Sequence, residues 1–146
     1  MIISIGSDHG GFLLKDGIVK YLKEKGIIVK DHGTFDTNSV HYPEYAKMVC
    51  DDYVNHNCDF GILVCTTGVG MCIFANKVKG CRAVVARCTE EAMLSRNHNN
   101  CNILCLGAKF TTLEDAKKII DTFLETPFAG GRHQIRVNMI IEQEDK

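Results

Sequence analysis

The sequence predicts a three-layer α/β/α sandwich around a five-stranded, mainly parallel sheet. Short, nearly continuous apolar runs alternate along the chain with longer segments whose apolar residues recur at helical spacing. Runs that are apolar on both faces belong to parallel strands covered on both sides. A further observation marks the ligand edge: the first and third runs each end in a glycine-rich turn that leads into a helix.

In chain order, Ile2–Ser7 reads as the first strand, and Leu14, Ile18, Tyr21 and Leu22 follow at helical spacing up to the stop signal Gly26. Ile27–Asp31 is the second strand. Tyr45–Val54 reads as a helix opened by Pro43, whose fixed φ suits a first turn. Phe60–Cys65 and Arg82–Ala86 are strands separated by a helix over Val69–Val78. Thr89–Asn97 is a further helix with Thr89 as its N-cap, and Asn102–Leu106 is the fifth strand. Leu113, Ala116, Ile119, Ile120, Phe123 and Leu124 form one apolar helical stripe. Past Pro127 and Gly130-Gly131 a last helix begins, so the segment from about 127 to 146 reads as a C-terminal helical arm. Without repeats, linkers or low-complexity tracts, residues 1–146 read as one Rossmann-like domain.

A chain of 146 residues buries about 68–70% of its unfolded surface, enough for a core without disulfide staples. Its 45% apolar and 24% charged content is that of an ordinary globular domain. A net charge of −1 leaves no footprint of non-specific nucleic-acid binding. No run approaches the roughly 20 apolar residues of a membrane span. Met1–Ser7 lacks the basic and apolar regions of a signal peptide. A cytoplasmic setting is expected, in which the eight cysteines stay free thiols. Zinc explains them poorly, because no Cys-x-x-Cys pair occurs. Cys101 and Cys105, four apart in an expected strand, have Cα atoms about 13 Å apart. Neither a metal nor a cofactor is expected.

The first strand ends in Gly6-Ser7-Asp8-His9-Gly10-Gly11 and the third in Cys65-Thr66-Thr67-Gly68-Val69-Gly70. A glycine-rich turn at a helix start offers unpaired N–H groups to an anion or oxyanion. A dinucleotide fingerprint needs a third glycine where Ile73 stands, and a Cys-x5-Arg phosphatase needs arginine where Met71 stands. What remains is a thiol beside an oxyanion site, which suits proton abstraction or acyl chemistry. The plainer alternative makes Cys65 a buried strand-end thiol and Asp8 a helix cap. His9, beside two glycines at the ligand edge, has little packing reason. His32, His41 and His56 read as ordinary surface or loop histidines. Arg132 and Arg136 share one helix face, as a phosphate clamp or as surface arginines.

Five segments together resemble the ribose-5-phosphate isomerase B family, in its order and spacing and over essentially the whole chain. They are the two turns above (the first running on to Phe12), Ala75-Asn76-Lys77, Ser95-Arg96-Asn97-His98-Asn99 and Gly130-Gly131-Arg132-His133-Gln134-Ile135-Arg136-Val137. The resemblance implies interconversion of ribose 5-phosphate and ribulose 5-phosphate through an enediolate. It implies that Cys65 is the base, that Thr67 and the amides of Gly68, Val69 and Gly70 stabilise the oxyanion, and that His98 with Asp8 opens the furanose ring. His9, Arg132 and Arg136 match phosphate ligands, and Asn99 and Tyr42 sugar contacts. Thr66 stands where glycine is common. Met71 occupies the place of a glutamate base found in some members, and it cannot ionise, so the role falls to Cys65. A thiol of ordinary pKa near 8.5 needs lowering to act as a base at neutrality, and a helix N-terminus lowers it.

Galactose-6-phosphate isomerase subunits share much of this pattern, allose 6-phosphate is an alternative substrate, and a sugar-phosphate sensor could keep the same clamp. Binding phosphate requires neither Cys65 nor His98, which argues against the sensor. Topology adds an expectation about assembly. The helix over Thr89–Asn97 runs antiparallel to the strands and spans about 13 Å at 1.5 Å per residue. It carries His98 away from the edge that holds Cys65, so a shared site requires a homodimer in which a second subunit supplies His98.

Overall fold

The computed structural model describes all residues from Met1 to Lys146. The elements are β1 (Ile2–Ser7), α1 (Phe12–Glu24), β2 (Ile28–Asp31), α2 (Tyr42–Val54), β3 (Phe60–Cys65) and α3 (Val69–Ala75). They continue as β4 (Ala83–Val85), α4 (Thr89–Asn99), β5 (Ile103–Gly107), α5 (Leu113–Glu125) and α6 (Arg132–Gln143). The sheet has the order β2-β1-β3-β5-β4, and all four pairings are parallel. The three-layer sandwich is the one expected.

Side chains alternate along each strand with period two, and the layers follow from that. Ile62 and Val64 of β3 turn towards α1, α4 and α5, where they meet Ile18, Leu22, Ala92, Ile120 and Phe123. Leu63 and Cys65 turn the other way, into a second core with Ala46 and Val49 of α2 and Met71 and Ala75 of α3. Each fully buried Ile, Leu or Phe contributes about 1.5–3 kcal/mol, so both cores fix the sheet's register firmly. Cys65 therefore lies under α2 and α3, at the carboxyl end of its strand.

Several boundaries move, for local reasons. Helix α3 stops at Ala75, three residues short of Val78. Asn76 Nδ2 donates to Ala83 O at 3.1 Å while Ala83 N donates to Asn76 Oδ1 at 2.9 Å, so the side chain acts as a strand partner at the β4 edge. Helix α2 begins three residues early, at Tyr42, with Pro43 in its first turn. Helix α4 runs on to Asn99 and takes His98 into its last turn, ending at Asn100 in the left-handed region. Its N-cap is Cys88, not Thr89, and Cys88 makes no capping bond. Glu91 instead accepts the Arg87 N–H at 3.0 Å, a variant of the reach-back of a capping box.

Two features steady the end of β1. Lys15 is fully buried and holds both oxygens of Asp31 at 2.9 Å. Asp31 also accepts the Gly33 N–H, and Gly33 O accepts the Ser7 N–H at 2.7 Å, so this ion pair braces the strand end that carries Asp8. At the other end of the chain, the tail of α6 returns to the body: Lys79 pairs with Asp145, and Gly80 N–H donates to Glu144.

Candidate active site

The chain leaves β1 towards β2 on one side, while β3 pairs on the other, and such a switch point opens a crevice beyond the carboxyl strand ends. A cavity of about 470 Å³ occupies it, lined by Asp8, Tyr42, Cys65, Thr66, Thr67, Val69, Gly70 and Ile73. That volume suits a small polar metabolite. A larger hollow, about 570 Å³, lies at the opposite edge between the α3–β4 turn and α6, and none of the expected reacting groups lines it.

Cys65 is 5% exposed, and the Gly68 N–H donates to its Sγ at 3.1 Å. That amide can point at sulfur because Gly68 has a φ of +81°, a conformation that a side chain rarely adopts. Gly70 has a different reason to be glycine: a Cβ there would stand 2.6 Å from the Tyr42 ring, which closes over the turn. The Thr67 hydroxyl accepts the Val69 N–H at 3.2 Å. The amides of Gly68 and Val69, expected to serve an oxyanion, are thus directed at Cys65 and Thr67. Gly70 is left as the amide of the three that faces the cavity without a partner in the chain.

Asp8 is 7% exposed, and its Oδ1 accepts the Gly11 N–H at 3.0 Å. It braces the turn before α1, as the plainer alternative supposed, yet also lines the cavity with a second acceptor oxygen. His9 lies exposed beside it. Val40 N donates to His9 Nδ1 at 3.1 Å, which puts the proton of a neutral ring on Nε2 and leaves an outward donor. Thr66 packs over Gly10 and so joins the two turns.

The remaining expected residues stand elsewhere. His98 and Asn99 end α4, at the amino edge of the sheet, and the Asn99 carbonyl accepts from Arg82 Nε at 3.2 Å. Arg132 and Arg136 lie exposed, one turn apart, at the start of α6. His133 lies between them, its ring stacked on His98 with centroids 4.3 Å apart and planes 11° from parallel. Its pKa is lowered by desolvation, then by the charges of His98, Arg132 and Arg136. The sequence motif contained His133, but a stack between two helices leaves no spacing signal. Ile73 was also missed, although it lies one turn beyond Val69 on α3, a spacing that could have found it. His32, read as an ordinary loop residue, instead contacts Asp52 at 2.6 Å, and Asp52 also accepts from Ser4 at 2.7 Å.

A buried thiol on an amide turn, a carboxylate lining the same small cavity and a separate cationic cluster are the equipment of an α/β enzyme that moves protons on an anionic metabolite. Comparison with known proteins narrows the class. Residues 3–140 match the Ribose/Galactose Isomerase family. Ribose-5-phosphate isomerase B of Escherichia coli is 45% identical over 144 residues, 99% of this chain and 97% of its own. The structure of Clostridium thermocellum ribose-5-phosphate isomerase B superposes with a TM-score of 0.98 at 46% identity, covering 99% of this chain and 98% of that one. The Mycoplasma genitalium ribose-5-phosphate isomerase B structure with bound ribulose-5-phosphate gives 0.92 at 45% identity, covering 99% and 97%. The chain belongs to the ribose/galactose isomerase family.

Proposed function

We propose that this protein interconverts ribose 5-phosphate and ribulose 5-phosphate, with Cys65 moving a proton between C2 and C1. The observation that carries this reading is Cys65 Sγ on the cavity wall, with the Gly68 N–H on it at 3.1 Å and Asp8 lining the same space. An amide aimed at sulfur is the donor that a thiolate base needs.

Ribose 5-phosphate is a furanose, so the ring opens first. Asp8 takes the proton from O1 while His98 gives one to O4, and the C1–O4 bond breaks as the C1 carbonyl forms. Cys65 then removes the C2 proton. Negative charge grows on O1, where the Gly70 N–H and the Thr67 hydroxyl stabilise it. Thr67 accepts from Val69, which leaves its own proton free to donate to the substrate. Return of the proton to C1, with proton exchange between O1 and O2, yields the ketose. No hydride leaves the substrate, and the loop donors polarise the carbonyl without a metal ion.

Phosphate is held by Arg132 and Arg136 with the Nε2–H of His9, and Asn99, Tyr42 and Thr66 border the sugar. These groups converge only in a homodimer. Helix α4 has 11 residues and spans about 16 Å at 1.5 Å per residue, which separates His98 from Cys65 within one chain. The exposed apolar residues of α6, Ile135 at 66% and Met139 at 64%, support a partner surface on the arm. Residues 1–146 form one isomerase domain, with the arm from about 127 to 146 completing the neighbouring subunit's site. No helix is long and apolar enough to cross a membrane, and a cytoplasmic setting fits eight free thiols.

The test is turnover by chelator-treated protein on ribose 5-phosphate, allose 6-phosphate and galactose 6-phosphate in parallel. The proposal expects the highest kcat/KM on ribose 5-phosphate, with no loss on chelation. Preference for a six-carbon substrate, or activity restored only by a divalent ion, would contradict it.

A further inference from the structure

The second core is rich in sulfur, and the mechanism uses only the thiol of Cys65. Cys50, Cys65, Cys81 and Cys105 are buried there, with Cys72 of α3 packed against them. The sheet register sets Cys105 between Leu63 of β3 and Val85 of β4, on the face that α3 covers. Helix α3 brings Cys72 down onto that place, and the two thiols are hydrogen-bond partners. They differ in access. Cys105 is fully buried, whereas Cys72 is half-buried and its Sγ accepts from Asn76 Nδ2 at 3.5 Å. Asn76 also lines the hollow of about 570 Å³ beside α6, which gives a small solute a route to the Cys72 sulfur. Cys50 and Cys81 are also hydrogen-bonded to each other, but at 0% and 3% exposure they are closed to solvent.

We propose that Cys72 and Cys105 are a peroxide-reactive pair whose disulfide ties α3 to β5 and slows turnover. The effect on turnover rests on the reading of the turn before α3 as the oxyanion site; formation of the bond does not. The Cys72 thiolate attacks hydrogen peroxide, the O–O bond breaks, and Cys72 becomes a sulfenic acid as hydroxide leaves. The Cys105 sulfur then displaces the sulfenic hydroxyl, which leaves as water with the Cys105 proton, and the S–S bond closes. Two thiols lose two electrons in all, and one peroxide becomes two waters. The pair suits this order of events. The hydrogen bond from Cys105 lowers the Cys72 pKa against desolvation, and with the Val85 amide and Asn76 brings it to about 7. A large share of Cys72 is therefore thiolate at neutrality. Burial, then Cys72 itself, holds Cys105 well above the ordinary thiol range, so it waits as the protonated partner.

Closing the bond draws α3 towards the sheet. Cys72 follows Gly70 by two residues, so the turn that presents the Gly70 amide moves while Cys65 stays fixed in β3. A misplacement of about 1 Å costs about 10²-fold in rate. The test treats the whole protein with hydrogen peroxide, removes the oxidant and reads two quantities. Peptide mapping without reduction should find Cys72 joined to Cys105. Turnover of ribose 5-phosphate should fall by about tenfold or more and return with dithiothreitol. Cys72→Ser keeps a polar group beside Asn76; it should start near parental turnover and retain it through the same treatment. If the serine variant does not assemble, Cys72→Ala takes its place. Equal losses in parent and variant would put the injury at Cys65 and overturn the proposal. So would the absence of a Cys72–Cys105 bond, or a bond that forms with turnover unchanged. An untreated parent without turnover, in which the bond still forms, would instead sink the reading of the site.

Discussion

Cys65 and Cys72 lie seven residues apart and face different tasks. Sγ of Cys65 receives the Gly68 amide inside the cavity. Cys72, half-buried on α3, has its pKa lowered to about 7, first by a hydrogen bond with Cys105 and against desolvation. Both thiols can therefore meet an alkylating reagent, as can the exposed Cys88, so protection by substrate is informative only in a Cys72→Ser, Cys88→Ser background. In that background Cys65→Ala should lower kcat by about 10²-fold or more with KM little changed. Near-parental turnover would remove Cys65 from the mechanism. Asp52 shows a residue acting on stability. Burial raises its pKa, but the bonds from His32 and Ser4 outweigh this and the net shift is downward. A depressed carboxylate stabilises the fold above its unfolded pKa, near 3.9, and loses that contribution as pH falls through the folded value. Urea midpoints measured from pH 7 to 2 should thus fall less steeply on the acid side for Asp52→Asn, from a lower plateau. Parallel curves would contradict the linkage.

Among the elements, the central strands β1, β3 and β5 were legible because burial on both faces writes them as unbroken apolar runs, and β1 and β3 have the bounds that their residues suggest. Helix ends were less so. Periodicity runs through Val78 because that side chain packs on the second core from a turn, while the Asn76 side chain ends α3 by pairing with Ala83. Thr89 is a good cap by type, yet the helix starts one residue earlier with Glu91 satisfying the Arg87 amide. The turn after β3 was visible as a glycine pattern, but which acceptor each amide faces is a matter of φ and ψ. Helix α6 carries its own prediction. The proposed clamp implies that replacing Arg132 or Arg136 by Ala should remove a charge-assisted bond of about 1.5–3 kcal/mol, so KM for ribose 5-phosphate should rise about 10- to 100-fold, more than kcat falls. Equal losses on an unphosphorylated pentose would contradict the clamp.

At the scale of the whole molecule, the central claim is that the catalytic groups converge only between two copies. Asp8, Cys65 and Thr67 line one cavity at the carboxyl edge, while His98, His133, Arg132 and Arg136 cluster where α4 ends and α6 begins. Antiparallel packing of α4 on the sheet made that separation legible in advance, whereas the side-chain contacts between α4 and α6 join residues some 35 apart and leave no periodic signal. Subunit complementation tests the claim most directly. Cys65→Ala and His98→Ala proteins, each inactive alone, are unfolded together in equal amounts and reassembled. In a mixed dimer both lesions fall in one site and the other is intact. Half of randomly paired dimers are mixed, so about a quarter of parental activity should return. No recovery, with mixed dimers shown to form, would mean that His98 serves Cys65 of its own chain or does not take part.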